Sequence, residues 1–185
     1  SPLMYYSVLQ QKMLQEELGE EYHVELAMRY QKPSIESALK KMQGMYLESI
    51  KVIPLFPQYA SATSGSVIDK VMEIMRTWQY IPKISFVSSY CDDDLMIETY
   101  AEHGIRHDID SFDHIMFSYH GLPVRQLGKI DPTGELKCPD TGCDTCKKET
   151  NPFCYLSQCY ATSRAIAGKI GLSEDRYTVC FQSRL

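Results

Sequence analysis

The residue best placed to do chemistry in this chain is His120, which ends an apolar segment. Residues 115–119 (Ile-Met-Phe-Ser-Tyr) have the composition of a buried strand, and Gly121 and Pro123 predict a turn directly after the histidine. Open parallel α/β sheets bind ligands beyond the carboxyl ends of their strands. Because imidazole titrates near neutral pH, it can transfer a proton or bind a metal. His120 is therefore a candidate catalytic residue, and a hydrogen-bonded core histidine is the alternative.

A second chemical feature is a group of cysteines within residues 138–159, which contain five of the seven cysteines in the chain. Their spacing is Cys-x4-Cys-x2-Cys-x7-Cys-x4-Cys, formed by Cys138, Cys143, Cys146, Cys154 and Cys159. Thiols this dense indicate metal ligation rather than a disulfide framework, which is typical of small secreted domains. Sites of four cysteines hold either Zn²⁺ or an iron–sulfur cluster, and the spacing alone favours zinc. Unligated thiols on a loop are the remaining alternative.

Polar residues also follow two earlier segments that have strand character. Arg29 and Tyr30 end one of them, where they would reach the same crevice as His120 or form only a surface ion pair. Residues 57–65 form a polar loop before a helix predicted to begin at Ser66. Such a loop either caps the helix or binds carboxylates or phosphates. The absence of Gly-x-Gly-x-x-Gly and Walker A sequences disfavours nucleotide binding.

The order of the predicted elements defines the fold class. Helices are predicted at residues 3–18, 33–44, 66–79, 92–109 and 160–170, and strands at residues 22–29, 50–56, 84–88, 115–120 and 177–182. Strands that alternate with helices predict an α/β fold with parallel sheets flanked by helices. A boundary near Tyr90 divides the chain into halves at 1–90 and 91–185.

Composition excludes several classes of protein. The net charge of −5 argues against a dedicated nucleic-acid binder, which needs clustered Lys and Arg. The sequence contains no apolar run near the roughly 20 residues of a membrane span, and no basic segment of a signal peptide precedes the first helix. A cytoplasmic location is therefore expected. The chain begins within a motif and stops directly after a predicted strand, so we expect it to be a fragment of a longer protein.

Taken together, these segments resemble the ferrochelatases. The motifs that match are Ser1-Pro2-Leu3, Arg29-Tyr30, Pro-Leu-Phe-Pro-Gln-Tyr at 54–59 with Thr63-x-Gly65-Ser66, Ser-Tyr-His-Gly-Leu-Pro at 118–123 and Phe-Gln-Ser-Arg at 181–184. The resemblance implies two Rossmann-like halves around a porphyrin cleft. It also implies insertion of Fe²⁺ into protoporphyrin IX with release of two protons, the final step of haem biosynthesis.

The resemblance implies roles for particular residues. His120 matches the active-site histidine of the family, which acts either as the acceptor of pyrrole protons or as a ligand that delivers the metal. The residues expected to line the porphyrin cleft are Ser1, Arg29, Tyr30, Tyr59, Ser61, Thr63 and Ser66. A strand before Ser1 and a conserved acid beyond Leu185 are missing from the pattern. The second half is therefore expected to be incomplete, and the chain alone inactive.

The cysteine-rich insert at 131–159 is a departure from most of the family, which has a short Gly-Asp-Pro-Tyr connection there. Some bacterial ferrochelatases resemble this chain in placing the cysteines of a [2Fe–2S] cluster internally. The resemblance therefore favours a [2Fe–2S] cluster over zinc, with Cys138, Cys143, Cys146 and Cys154 as ligands. Cys159 is held in reserve, because cluster-free members can also have cysteine at that position.

Several alternatives stay open at the level of sequence. The related enzyme activities are insertion of iron into coproporphyrin and insertion of cobalt into a tetrapyrrole. The non-enzyme alternatives are an iron–sulfur redox or sensor domain on a chelatase scaffold and a zinc-stabilised interaction domain. The expected partners are protoporphyrin IX and ferrous iron, with no nucleic acid. Peripheral association with the inner membrane and the oligomeric state are left open.

Overall fold

The computed structural model describes residues 2–130 and 142–183. It is an α/β structure that divides into two compact units. The first comprises Ser1–Ile53 and Ser66–Phe86, and the second comprises Pro54–Gly65 and Val87–Leu185. None of the helices among the described residues has the length and apolar character that a membrane span requires.

The first unit contains three helices and one pair of parallel strands. Its elements are α1 (Pro2–Leu18), α2 (Ile35–Gln43), β1 (Ser49–Val52), α3 (Ser66–Met75) and β2 (Lys83–Phe86). The strands β1 and β2 pair in parallel with Ile50 opposite Ile84. Ser34 begins α2 as its N-cap, because its hydroxyl accepts a hydrogen bond from the Ser37 N–H.

The core of the first unit lies where α2 and α3 pack over the strand pair. Its buried side chains are Ile35, Leu39, Ile50, Val71, Met75 and Trp78. Val52, Ile84 and Phe86 of the strands pack against this core while partly exposed. The unit is therefore stabilised by one continuous apolar cluster between helices and sheet.

The second unit repeats the helix and parallel-strand arrangement. Its elements are α4 (Asp94–Arg106), β3 (Ile115–His120), α5 (Val124–Gly128), α6 (Tyr155–Ile170) and β4 (Tyr177–Gln182). The parallel pair β3–β4 places Ile115 opposite Tyr177 and His120 opposite Gln182. Helices α4 and α6 pack against each other. Helix α6 ends at Gly171, whose φ of +73° suits a residue without a Cβ.

The predicted α/β class with parallel strands is confirmed, and one predicted strand is wrong. Residues 22–29 form no strand, and only an isolated bridge joins Met28 to Ser34. Side chains of α1 form hydrogen bonds with the backbone groups that would otherwise pair with a neighbouring strand. Gln15 accepts from the Val24 N–H and donates to the Tyr22 carbonyl. The amide of Gln11 bonds to the Val24 carbonyl in the same way. Local alternation of apolar residues therefore did not produce sheet pairing here.

Most element boundaries differ from the prediction by a few residues, and the largest differences are in β1, α3 and α6. Strand β1 ends at Val52, short of the predicted residue 56, since Pro54 has no N–H for a sheet. Helix α6 begins at Tyr155, five residues before the predicted start. The short helix α5 was not predicted, because its N-cap residue is Pro123 and not the Ser, Thr, Asp or Asn that marks a helix start.

Candidate functional site

The site is centred on the carboxyl end of β3, where His120 lies. The side chains of β3 alternate between half-buried and exposed, and His120 is an exposed one. Its backbone carbonyl accepts a hydrogen bond from the Tyr155 hydroxyl of α6 at 3.0 Å. Burial raises the pKa of the Tyr155 phenol, which keeps this donor protonated. The backbone of His120 is thus fixed while its imidazole faces solvent.

Gly121 explains why the chain can turn immediately after the histidine. Its N–H donates to the Gln182 carbonyl at 2.6 Å, which continues the β3–β4 pairing by one residue. A Cβ at this position would lie 3.0 Å from the Gln182 carbonyl oxygen and 3.3 Å from that of Ser183. Any larger residue would therefore need the backbone at the end of β4 to shift by a few tenths of an ångström. Glycine allows the close approach of the two strand ends beside His120.

The polar loop at residues 57–65 lies in the same unit as His120. Ala60 is buried against Tyr155 and Cys159, and Ser61 lines a small pocket together with Leu122 and Tyr155. Residues Ser61–Gly65 form a π-helical turn, a conformation that is frequent at functional sites. Within it, both the N–H and the hydroxyl of Thr63 donate to the Ala60 carbonyl, at 3.1 and 3.2 Å.

Close packing fixes the shape of this loop. Gly65 closes the π-helical turn by donating to the Ala60 carbonyl at 3.0 Å. A Cβ on Gly65 would lie 2.9 Å from the Tyr59 hydroxyl and 3.3 Å from the Ala60 carbonyl oxygen, so a larger residue would displace the Tyr59 ring from its position beside the turn. The structure therefore places Ser61 and Thr63 in this turn, and Tyr59 two residues before it, in the unit that contains His120.

A second group of predicted residues meets in the first unit. The Arg29 Nε–H group is 2.8 Å from the Ser66 hydroxyl and 3.1 Å from the Ser66 carbonyl oxygen. The Tyr30 and Ser66 hydroxyl oxygens are 3.4 Å apart, and the guanidinium carbon lies 4.7 Å from the centre of the Tyr30 ring. Tyr30 is 79% exposed and so presents its ring to solvent. Ser1, the remaining predicted cleft residue, lies outside the described residues.

The cysteine-rich insert is described from Gly142 onward, so Cys138 lies outside the described residues. The Cys146 N–H donates to the Cys143 carbonyl at 3.1 Å, which closes the Cys-x2-Cys turn. The Asn151 amide donates to the Cys146 sulfur at 3.2 Å, and the buried Cys154 is the N-cap residue of α6. In the described part of the chain, no three His, Cys, Asp or Glu side chains come close enough together to hold a metal ion.

Helix α6 holds this cysteine turn through Arg164. Its guanidinium donates to the carbonyls of Asp144 and Cys146, each at 3.0 Å. Cys159 lies elsewhere, in the core against Ala60 and Tyr155, with no exposed surface. Burial raises the pKa of the Cys159 thiol to about 12, which disfavours a thiolate there.

Sequence reasoning missed a line of buried polar residues on α6. The buried ones are Ser157, Gln158, Thr162 and Ser163. Gln158 and Thr162 form hydrogen bonds with the polar loop at residues 57–65, and Gln158 also with Ser89 after β2. Their sequence signal was weak, since Gln158 and Thr162 lie before or near the start of the predicted helix at 160–170. The spacing of four residues between them becomes informative only once α6 is known to begin at Tyr155.

These features place the chain in the class of α/β proteins with parallel strands, whose open sheets generally bind ligands beyond the carboxyl ends of the strands. Comparison with known proteins makes this class specific. The ferrochelatase family model matches residues 1–185. The chain is 36% identical to a ferrochelatase of Legionella pneumophila (strain Paris) over 192 residues, covering 100% of this chain and 54% of the relative.

The chain is also similar to ferrochelatases of two other bacteria. A ferrochelatase of Coxiella burnetii (strain Dugway 5J108-111) is 36% identical over 100% of this chain and 51% of its own length. One from Stutzerimonas stutzeri (strain A1501) is 38% identical over 88% of this chain and 48% of its own length. The chain spans about half the length of the curated relatives it matches. The chain belongs to the ferrochelatase family.

Proposed function

We propose that the protein is a ferrochelatase that inserts Fe²⁺ into protoporphyrin IX with release of two protons, which forms protohaem. The observation that supports this most directly is His120, exposed at the end of a parallel strand in a chain that the family model matches throughout. We propose residues 1–90 and 91–185 as its two chelatase halves. We also propose a cytoplasmic location, with peripheral membrane association as the alternative.

In this proposal His120 acts on the reacting centre. A neutral imidazole accepts pyrrole protons or passes the metal to the macrocycle, and both roles need an accessible ring on a fixed backbone. The Tyr155 and Gly121 contacts supply the fixed backbone. The side chains proposed to line the porphyrin cleft are those of Ser1, Arg29, Tyr30, Tyr59, Ser61, Thr63 and Ser66.

The test is an anaerobic metal-insertion assay on the purified protein, with formation of protohaem followed spectroscopically. Parallel reactions with coproporphyrin and with Co²⁺ distinguish the related chelatase activities. A second assay uses a variant of the Legionella relative in which the segment that matches this chain is replaced by this chain. The chain is then tested within the rest of that ferrochelatase. If neither protein forms a metalloporphyrin from any of these pairs, the proposal is overturned.

We further propose that the insert holds a [2Fe–2S] cluster on Cys138, Cys143, Cys146 and Cys154. The support is chemical, since the Asn151 amide already donates to the Cys146 sulfur and Arg164 fixes the Cys146 carbonyl. Because no three of the described metal-binding side chains converge, the described residues alone do not complete this site. When bound, such a cluster would supply a redox-active centre or a structural crosslink.

Metal analysis of anaerobically purified protein tests the cluster. We expect two iron and two sulfide per chain with visible absorption, and we expect Cys146→Ser to remove both signals. The matched control is Cys159→Ala, which changes a buried core thiol and should keep the cluster. A colourless protein with about one zinc per chain would indicate a zinc site and not a cluster. Loss of iron in Cys159→Ala, with iron retained in Cys146→Ser, would contradict the proposed ligand set.

A further inference from the structure

We propose that Gln158 and Thr162 of α6 are positioning residues that hold residues 57–65, the proposed porphyrin loop, in its binding conformation. The inference rests on the proposed function only for the effect of these residues on porphyrin. Neither side chain is exposed to solvent by more than a few percent, with values of 1% for Gln158 and 4% for Thr162. Their spacing of four residues puts both on one face of the helix.

Gln158 holds the backbone of the loop. Its Oε1 accepts a hydrogen bond from the Tyr59 N–H at 2.8 Å and lies 2.8 Å from the Ser89 hydroxyl. The same hydroxyl is 2.9 Å from the Pro57 carbonyl, to which the Tyr90 N–H also donates at 3.0 Å. One buried oxygen atom therefore links α6 with both the loop and the segment that follows β2.

Thr162 holds the loop one helical turn further on. Its hydroxyl accepts a hydrogen bond from the Gln58 amide at 2.9 Å and donates to the Cys91 carbonyl at 2.5 Å. Consecutive loop residues thus bond to residues four apart on the same helix. This arrangement constrains the backbone at Tyr59 and the side chain at Gln58 together, and so sets the direction in which the π-helical turn at Ser61–Gly65 begins.

The two halves of the Gln158 amide differ in a way that makes the inference testable. Its oxygen accepts from the Tyr59 N–H and lies within hydrogen-bond distance of the Ser89 hydroxyl, whereas its Nε2 has no hydrogen-bond partner among the described residues. Glutamate at this position keeps an acceptor oxygen whether or not it is protonated. Leucine has a similar volume but no acceptor, which leaves the Tyr59 N–H without its partner.

In the Legionella relative that carries this chain's residues, Gln158→Leu is expected to raise the KM for protoporphyrin about tenfold, with a much smaller change in kcat. Gln158→Glu should have a KM close to that of the wild type. Thr162→Val should likewise raise the KM for protoporphyrin, whereas Thr162→Ser, which keeps the hydroxyl, should have a KM close to that of the wild type. The matched control is Ile166→Val, which trims a buried side chain of the same helix that makes no polar contact. It should leave the KM unchanged.

Hydrogen–deuterium exchange tests the positioning without relying on catalysis. We expect peptides that contain residues 57–65 to exchange about tenfold or more faster in Gln158→Leu, and at the wild-type rate in Gln158→Glu and Ile166→Val. If the wild-type protein binds no porphyrin but the exchange result holds, the proposed function fails and the positioning role stands. Equal loop exchange in Gln158→Leu and Ile166→Val would overturn the positioning role.

Discussion

Replacing His120 by alanine is expected to lower the rate of iron insertion by about 10²–10⁴-fold, the range typical for loss of a positioned acid or base. The rate is measured in the Legionella relative that carries this chain's residues, because the chain spans about half the length of that relative. The imidazole is exposed at the end of β3, while the carbonyl of the same residue is bound by Tyr155. Alanine keeps that backbone contact and removes only the ring. The effect should therefore fall mainly on kcat, with porphyrin binding retained, and steady-state kinetics at saturating Fe²⁺ would measure it.

The matched control is His114→Ala, just before the other end of the same strand. His114 is exposed, and its ring nitrogen lies 2.8 Å from the Thr178 hydroxyl of β4. Losing this surface contact should change the insertion rate by less than about twofold, since exposed contacts contribute little. Similar rates for wild type and His120→Ala would remove His120 from the reaction. A large loss in His114→Ala would instead indicate that strand pairing is the sensitive property.

The largest effect on stability is expected for Leu39→Ala in the core of the first unit. Leu39 lies on α2, and its buried side chain shares one core with Val71 of α3 and with Trp78. Truncating a buried leucine leaves a cavity and costs about 2–5 kcal/mol in the free energy of unfolding. Trp78 is the single tryptophan of the chain and lies in this core, so its fluorescence reports the unfolding of this cluster.

Leu3→Ala is the control for that measurement. Leu3 lies on α1 of the same unit and is 62% exposed, so the same chemical change should cost less than about 0.5 kcal/mol. Urea titrations of both variants, followed by Trp78 fluorescence, give the two free energies. Equal free energies for the two variants would show that the cluster around Leu39 contributes no more than surface packing.

The α/β class followed from the sequence because the signals that specify it are local. Residues 115–120 and 177–182 are apolar, bounded by turn residues, and they became β3 and β4 with the predicted limits. Residues 22–29 have a similar alternation, but Gln11 and Gln15 of α1 bind their backbone groups. Which partner captures a backbone N–H is a tertiary property. Periodicity alone could not distinguish these two outcomes.

The candidate site also contains residues that the local sequence predicts and residues that only the folded structure reveals. His120 and Gly121 were identifiable because a strand end and a turn are both visible in the order of residues. The pairing of Arg29 with Ser66 joins residues 37 positions apart, and the Gln158 bond to Tyr59 joins residues 99 apart. No local pattern contains such contacts. The residues that support a site were therefore harder to predict than the residue at its centre.

The parallel pairing of β3 with β4 has an evolutionary consequence for the cysteine-rich insert. Parallel neighbours need a long crossover, and here residues 121–176 form it, including α5 and α6. Lengthening a connection that is already long costs little, about 0.6 kcal/mol for each doubling of a flexible loop. A segment such as the cysteine-rich insert can thus be gained or lost between α5 and α6 during descent while His120 stays paired with Gln182. Lineages should differ far more in this connection than in the strand pair that it joins.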